Sequence, residues 1–448
     1  MQPASQTATE PGSTSTTMRI AMKKIIYFLG LMFWMIPWQS AAEKSPVVML
    51  STQLAPIEEA RHFKEQILSR FEEHPVTFQP AHLTAFLSKL TEKPISTPGD
   101  VDLAAGLVVE ELFDLADKDR LLPLTELEPV LKKHKIPEEI LRETHPDPTT
   151  PRHVIPWLQA TYLMVAHKKA LPFLPRGADP MDLTHEDLFL WAERLHQETG
   201  GPKIGLPAGE KGLLLVMLPG GFLPSFTGGV INGFASPDAE AAWDYLRRLW
   251  KHVHPASTTF NFMQDHLLTG DVWLALDHTA RLMEVFQQSE DFIALPIPRG
   301  PKGRFSRLTT SGLAIPRNAP NPQAARTLME FLIHPKTQTL LLREEGFLPV
   351  TPIDPQQAPG LIQLVETARR QNHDPNTRRV HQPKGLGSQE AAFNLVFITT
   401  FSRIILRNKP IPEVLQMQGA ELNAIYEATQ APCVPPDREG EQPCRITP

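Results

Sequence analysis

GDVWLALDHTARLMEV (270–285), FIALPIPRGPKGRFS (292–306) and LTTSGLAIPRNAP (308–320) decide the fold. An apolar run, Val272 to Leu276, ends in the polar knot Asp277-His278-Thr279, with Arg281 one helical step beyond. A second apolar run, Phe292 to Pro296, enters a Pro/Gly crossover over 298–303. A third, Leu313 to Pro316, hands over to a helix opened by Asn321-Pro322. Strands that end in polar side chains and a helix N-terminus are where open α/β sheets bind ligands. A crossover rich in Pro and Gly suggests that the chain leaves one lobe for another.

Working outward, the same rhythm continues. Val47–Ser51 is a short strand, and Pro56 opens a helix whose inner face is Ala60, Phe63, Ile67, Leu68 and Phe71, at helical spacing. Val76–Phe78 and 101–109 read as further strands, with Phe86, Leu87 and Leu90 on a helix between them. Strand–helix–strand–helix predicts a parallel sheet covered on both faces. Thr184 with Asp187 predicts a capped helix burying Leu188, Trp191, Ala192 and Leu195, and stopping at Gly200-Gly201. Residues 220–233 read as a Gly-rich loop, and Ser236-Pro237 starts another helix.

The chain has 448 residues, room for two lobes with cores, and 45 prolines that fall mostly between periodic segments. A net charge of −6 without basic clusters argues against nucleic acid. Met22-Lys23-Lys24, the uncharged 25–38 and Ser40-Ala41-Ala42 form an export signal, with Met18 or Met22 as alternative starts to Met1. No Cys stands at the cleavage site, so a freely diffusing periplasmic protein is expected rather than a lipid-anchored one. Cys433 and Cys444 are the two cysteines, and in an exported chain they read as one disulfide, at 433–444.

The words GDVWLALDHTARL, the Pro296–Arg304 run, GLAIPRNAP, GFLPV at 346–350, VVMLSTQLAPIEEA at 47–60 and IPWLQATYLMVAHKKAL at 155–171 keep one order along the chain. In that order they resemble the family 1 extracellular solute-binding proteins, the maltose-binding-protein-like subunits of carbohydrate ABC importers. The resemblance implies two α/β lobes of the periplasmic-binding-protein type, joined by a three-segment hinge with a ligand cleft between them. The expected lobes are 47–156 plus 298–345 and 157–297 plus 346–448, following an N-terminal extension and signal over 1–42. The resemblance also implies a di- or oligosaccharide ligand, permease subunits as partners, no cofactor and no catalysis; a monomer is expected.

Candidate ligand residues follow from what a sugar needs, paired hydrogen bonds at its edges and aromatic rings on its faces. Asp277, His278 and Arg281 form a polar rim, or else an N-cap with an i,i+4 pair. Trp157, after a proline and just before Gln159, is read as cleft-facing; Phe226 in the Gly-rich loop is read as exposed; Phe222 and Phe347 are further platforms; Trp273 is platform or core. The turn after the first strand, Thr52 and Gln53, contributes polar contacts in the resembling family. Lys302, Arg304 and Arg307 read as a solvated crossover. His252 and His254 lack a third ligand, so no metal is expected. There is no GxSxG, HExxH or GxxxxGK(S/T) stretch. A periplasmic glycoside hydrolase and a sensory sugar-binding protein are the alternatives.

Overall fold

The computed structural model describes residues 45–54, 56–209, 217–354, 356 and 358–446; the export signal expected over 1–42 lies outside them. The first sheet has six strands in the order β11-β4-β10-β3-β1-β2. These are β1 (Val47–Ser51), β2 (Val76–Pro80), β3 (Leu103–Leu107), β4 (Ile155–Ala160), β10 (Thr309–Ala314) and β11 (Leu348–Pro349). β1 runs parallel to β2 and β3, with Met49 opposite Leu103, and β10 is antiparallel to both β3 and β4. The second sheet has the order β6-β7-β5-β8, from β5 (Tyr162–His167), β6 (Ile204–Gly205), β7 (Leu274–His278) and β8 (Phe292–Leu295). A ribbon of β9 (Arg304–Ser306) and β12 (Thr377–Arg379) lies apart from both sheets.

Alternation along the strands builds the cores, because successive side chains point to opposite faces. In the first sheet Val47, Met49, Leu103 and Ala105 join one apolar cluster, while Leu50 and Ala104 join the other. In the second, Met164, Ala166 and Leu274 face one cluster and Leu163, Val165 and Ala275 the opposite one. Both faces of each sheet are buried, which is why these strands read as continuous apolar runs.

The longer helices are α1 (Ile57–Gln66), α2 (Leu83–Thr91), α3 (His185–Thr199), α4 (Pro237–Trp250), α5 (Thr279–Gln288), α6 (Pro322–Leu332), α7 (Pro335–Glu345), α8 (Ile362–His373), α9 (Glu390–Phe401) and α10 (Ile411–Thr429). The inner face expected for α1 and the turn after it, Ala60, Phe63, Ile67, Leu68 and Phe71, is buried throughout. α3 begins in a reciprocal Thr184–Asp187 capping box and ends on Gly200 in the left-handed region, φ 76°. Among the described residues no helix is long and apolar enough to cross a membrane.

The chain passes between the sheets at Thr161, beyond the crossing expected at Pro156, because Leu158, Gln159 and Ala160 are still paired in the first sheet, and Trp157 sits between them and Pro156 where the register shifts. Gln371 of α8 fastens the passages. Its Nε2 donates to Ser306 Oγ at 3.0 Å and to the Tyr162 carbonyl at 3.0 Å, and its Oε1 accepts from Ile297 N at 2.8 Å. The expected disulfide joins Cys433 to Cys444.

Candidate functional site

β1 and β3 end at the same edge of the first sheet. Beyond Ser51, Thr52 Oγ1 donates to Glu111 Oε2 at 2.8 Å, and Gln53 Nε2 donates to Thr52 Oγ1 at 3.2 Å. Glu111 Oε2 also accepts from Leu107 N at 3.0 Å. A Cβ at Gly106 would lie 2.4 Å from that oxygen, so the carboxylate can approach only because residue 106 is glycine. Sequence reading misses Glu111: nothing in the run Val108–Leu112 singles out one acid, and only the fold brings it under Thr52.

At the carboxyl end of β7, in the second sheet, stands Asp277. Asp277 is 0% exposed. Its Oδ2 accepts from Met263 N at 2.7 Å and its Oδ1 from His278 N at 2.7 Å. Burial pushes its carboxyl up to about 7, against the pull of those two N–H bonds and of Arg281. Asp277 therefore corrects the expectation of a rim residue: both oxygens are spent on the backbone. His278 caps α5 instead, its Nδ1 accepting from Ala280 N at 3.3 Å. Burial, then the charges of Arg281 and Arg307, push its pKa down to about 4. The neutral ring with an accepting Nδ1 carries its proton on Nε2, so it is a donor there. His278 packs edge-on against Tyr162, ring centroids 5.3 Å apart.

A cleft of about 590 Å³ opens between α1, which follows the first sheet, and α5, which follows β7 of the second. Arg281 crosses it to Glu59, Nη2 to Oε1 2.7 Å, and lies over the Phe262 ring at 4.4 Å. His62 Nδ1 stands 3.0 Å from Glu345 Oε1, and Phe347 also lines the cleft. Gln264 lines the cleft with its Oε1 buried and without a hydrogen-bond partner. Glu59 and His62 are not legible because α1 is read from its apolar face, and Gln264 and Glu345 meet them only through the fold.

Other expected residues fall elsewhere. Trp157 is 0% exposed and packs edge-on against Phe63 at 5.9 Å; β4 stays in the first sheet through Ala160 and turns this ring into the core. Gln159, 4% exposed, donates to Glu143 Oε2 at 3.0 Å and to Thr310 Oγ1 at 3.1 Å. Phe226 is 8% exposed and stacks on His185 at 5.1 Å. The Gly-rich stretch expected to leave it open is helical over Leu218–Phe222 and Leu223–Thr227, which buries it. Trp273 precedes β7 at the end far from His278; it is half-buried, with Lys203 over its ring at 5.5 Å. Arg304, expected in solvent, is buried and donates through Nε to the Ile297 carbonyl at 2.8 Å. Among the described residues no group of three or more His, Cys, Asp or Glu side chains could hold a metal ion.

Glu345 gives a test of these electrostatics. Burial, with Glu59 and Glu344 nearby, pushes its carboxyl up to about 7 despite His62. A folded-state pKa above the unfolded value means that the folded protein binds the extra proton, so this contribution to stability is lost as pH rises from about 4.5 to about 7. Glu345→Gln removes the titration. Its stability relative to the parent should climb across that window and level off above it, read as thermal midpoints at pH 5, 6, 7 and 8; a constant difference would refute it.

Residues 91–357 match a family described as bacterial extracellular solute-binding protein. The chain belongs to this family. Solved structures agree on the fold. Maltose-bound MalE3 of T. maritima is 18% identical and superposes with a TM-score of 0.62, covering 85% of this chain and 99% of that one. UgpB of Mycobacterium tuberculosis, in complex with glycerophosphocholine, gives 17% identity and a TM-score of 0.60 over 86% and 99%. MalE of Xanthomonas citri, a sugar-binding protein, gives 16% and 0.56 over 85% and 97%. No curated protein sequence matches. The periplasmic-binding-protein-like α/β architecture expected from the sequence is thus the one present in this solute-binding protein.

Proposed function

We propose that this solute-binding protein is the periplasmic sugar-binding subunit of an ABC importer, holding a di- or oligosaccharide between two lobes and delivering it to the membrane permease. The observation that carries the reading is the cleft itself, about 590 Å³ and open between a helix of each sheet. It is lined by groups that hold hydroxyls: the Arg281 and Glu59 pair, His278 and the unpartnered Gln264 Oε1. Thr52, Gln53 and Glu111, bonded to one another beyond β1 and β3, would add polar contacts from the first lobe. Phe347 is the aromatic surface available for a ring face. The lobes would divide at Thr161, across 296–308 and just after β11, so that closure trades water for protein hydrogen bonds from both sides. Relatives in complex with maltose and with glycerophosphocholine support a small hydroxylated ligand. Export through the N-terminal signal and a monomeric state belong to the same reading.

A thermal-shift screen against carbohydrates tests it. A ligand at 100 times its Kd stabilises the folded form by about 2.7 kcal/mol, a shift of several degrees. Arg281→Ala should weaken binding of the sugar that shifts the parent by about 10- to 100-fold, the scale of one or two charge-assisted hydrogen bonds. Trp273→Ala, at the far end of the sheet, should leave it within about twofold. Equal losses in both variants would sink the site, and turnover of the sugar would replace the importer by a hydrolase.

A further inference from the structure

The charge of the cleft between α1 and α5 is one-sided. Four part-buried carboxylates line it, Glu59 of α1, Glu284 of α5, and Glu344 and Glu345 of α7, against one part-buried guanidinium, Arg281. Glu58, Arg61 and Glu65, exposed on α1, add to the negative balance. The cavity of about 590 Å³ makes the site, and these acids decide which charge suits its occupant.

Arg281 and His62 do not balance these acids. Arg281 Nη2 is spent on Glu59 Oε1 at 2.7 Å. His62 stands between two carboxylates, Nδ1 3.0 Å from Glu345 Oε1 and Nε2 3.8 Å from Glu344 Oε2, and even when protonated it matches only one of them. Arg343 lies 4.0 Å from Glu344 with its side chain 49% exposed, and a solvated pair of that kind contributes little. Glu284 accepts from the Gln288 amide at 2.7 Å, which brings no charge. The excess is felt at Glu345: burial, then Glu59 and Glu344, push its carboxyl up to about 7 against the pull of His62. A neutral sugar would take water from these carboxylates and leave their excess charge unanswered.

We infer that the ligand is an amino sugar, held through its ammonium by the carboxylates of this cleft, Glu344 and Glu345 foremost, while its hydroxyls meet the Arg281–Glu59 pair and His278. An ammonium has three donors and no acceptor, which complements carboxylate oxygens that outnumber their partners, and its bonds to them are charge-assisted. Phe347 lines the same cleft and offers a ring face to a cation. The net charge of −6 on the chain favours the approach of a cation as well. This rests on the proposed sugar-binding role and names its substrate class.

Calorimetric titration of matched pairs, an amine in place of a hydroxyl, tests it: glucose against glucosamine, galactose against galactosamine, and cellobiose against chitobiose. At about pH 7 such an amine is largely charged. In at least one pair the amino sugar should bind about tenfold or more tightly in about 0.1 M salt. In about 1 M salt, where the screening length falls from about 10 Å to about 3 Å, that preference should shrink by about threefold or more. Glu344→Gln and Glu284→Gln, each removing one charge at nearly constant shape, should each reduce it on the same scale, about threefold. Thermal midpoints near the parent's identify the variants that remain folded. Tighter or equal binding of the unsubstituted sugar in every pair that binds overturns the inference and leaves sugar binding standing. So does a preference that neither salt nor either substitution moves. Binding of putrescine or spermidine while every carbohydrate is silent, or silence throughout, overturns both readings.

Discussion

Asp437→Ala should destabilise the folded protein by about 3–5 kcal/mol, because it strips one carboxylate from three backbone N–H groups at once. Asp437 is 8% exposed. Its oxygens accept from Val230 N at 3.1 Å, Ile231 N at 2.9 Å and Asn232 N at 2.8 Å. Asn232 answers by accepting from Arg438 N at 2.8 Å and donating to the Arg445 carbonyl at 2.7 Å. The disulfide-closed tail is thereby docked on the turn before α4. Alanine leaves the buried N–H groups of Val230 and Ile231 and the part-buried one of Asn232 without this partner, each buried one costing about 1–3 kcal/mol, offset by relief of the buried charge, whose pKa burial already holds up. Removing the disulfide by Cys433→Ser with Cys444→Ser should cost about 3 kcal/mol, since the cysteines are 11 residues apart in sequence and the bond restricts only a short loop of the unfolded chain. Urea unfolding measures both. A loss below about 1 kcal/mol for Asp437→Ala would mean that the tail contributes nothing to the fold there.

The fold was legible and the site only in outline, for one physical reason. Apolar periodicity reports which face of a strand or helix is buried, so β1, β8 and α3, and the inner face of α1, could be read directly. It does not report which polar residue meets which across 50 or more positions. Thr52 finds Glu111, His62 finds Glu345 and Arg281 finds Glu59 only after both sheets exist. The errors share that origin. A neighbouring proline and a run of glycines suggest that Trp157 and Phe226 are open, yet pairing of β4 through Ala160 and a helical turn over Leu223–Thr227 bury them. Asp277 does stand out as a polar residue ending an apolar run, but its oxygens are taken by Met263 and His278 amides. The neighbour one residue on, His278, and Arg281 one turn later are the ones that line the cleft.

Gly346→Ala should cost about 2–4 kcal/mol, and the cleft should feel it. Gly346 ends α7 at φ 73°, where its N–H reaches the Leu342 carbonyl. An L side chain in the left-handed region costs about 1–2 kcal/mol. Contact adds the rest: a Cβ here would stand 2.6 Å from both Cα and the carbonyl oxygen of Ala280, main-chain atoms of the first turn of α5. Neither backbone can step aside without moving a helix. Gly346→Asn separates the two causes, since asparagine tolerates the left-handed region but carries the same Cβ. If contact dominates, Asn and Ala should be equally destabilised in thermal unfolding; if only φ matters, Asn should sit near the parent. Ala280 and Arg281 are adjacent, and Phe347 follows Gly346, so pushing α5 off this glycine widens the cleft between Arg281 and Glu59. Affinity for the ligand should therefore fall in both variants by more than their residual stability would require, at temperatures where each is still fully folded. Unchanged affinity in a destabilised variant would show that the α7–α5 contact supports the fold without setting the width of the cleft.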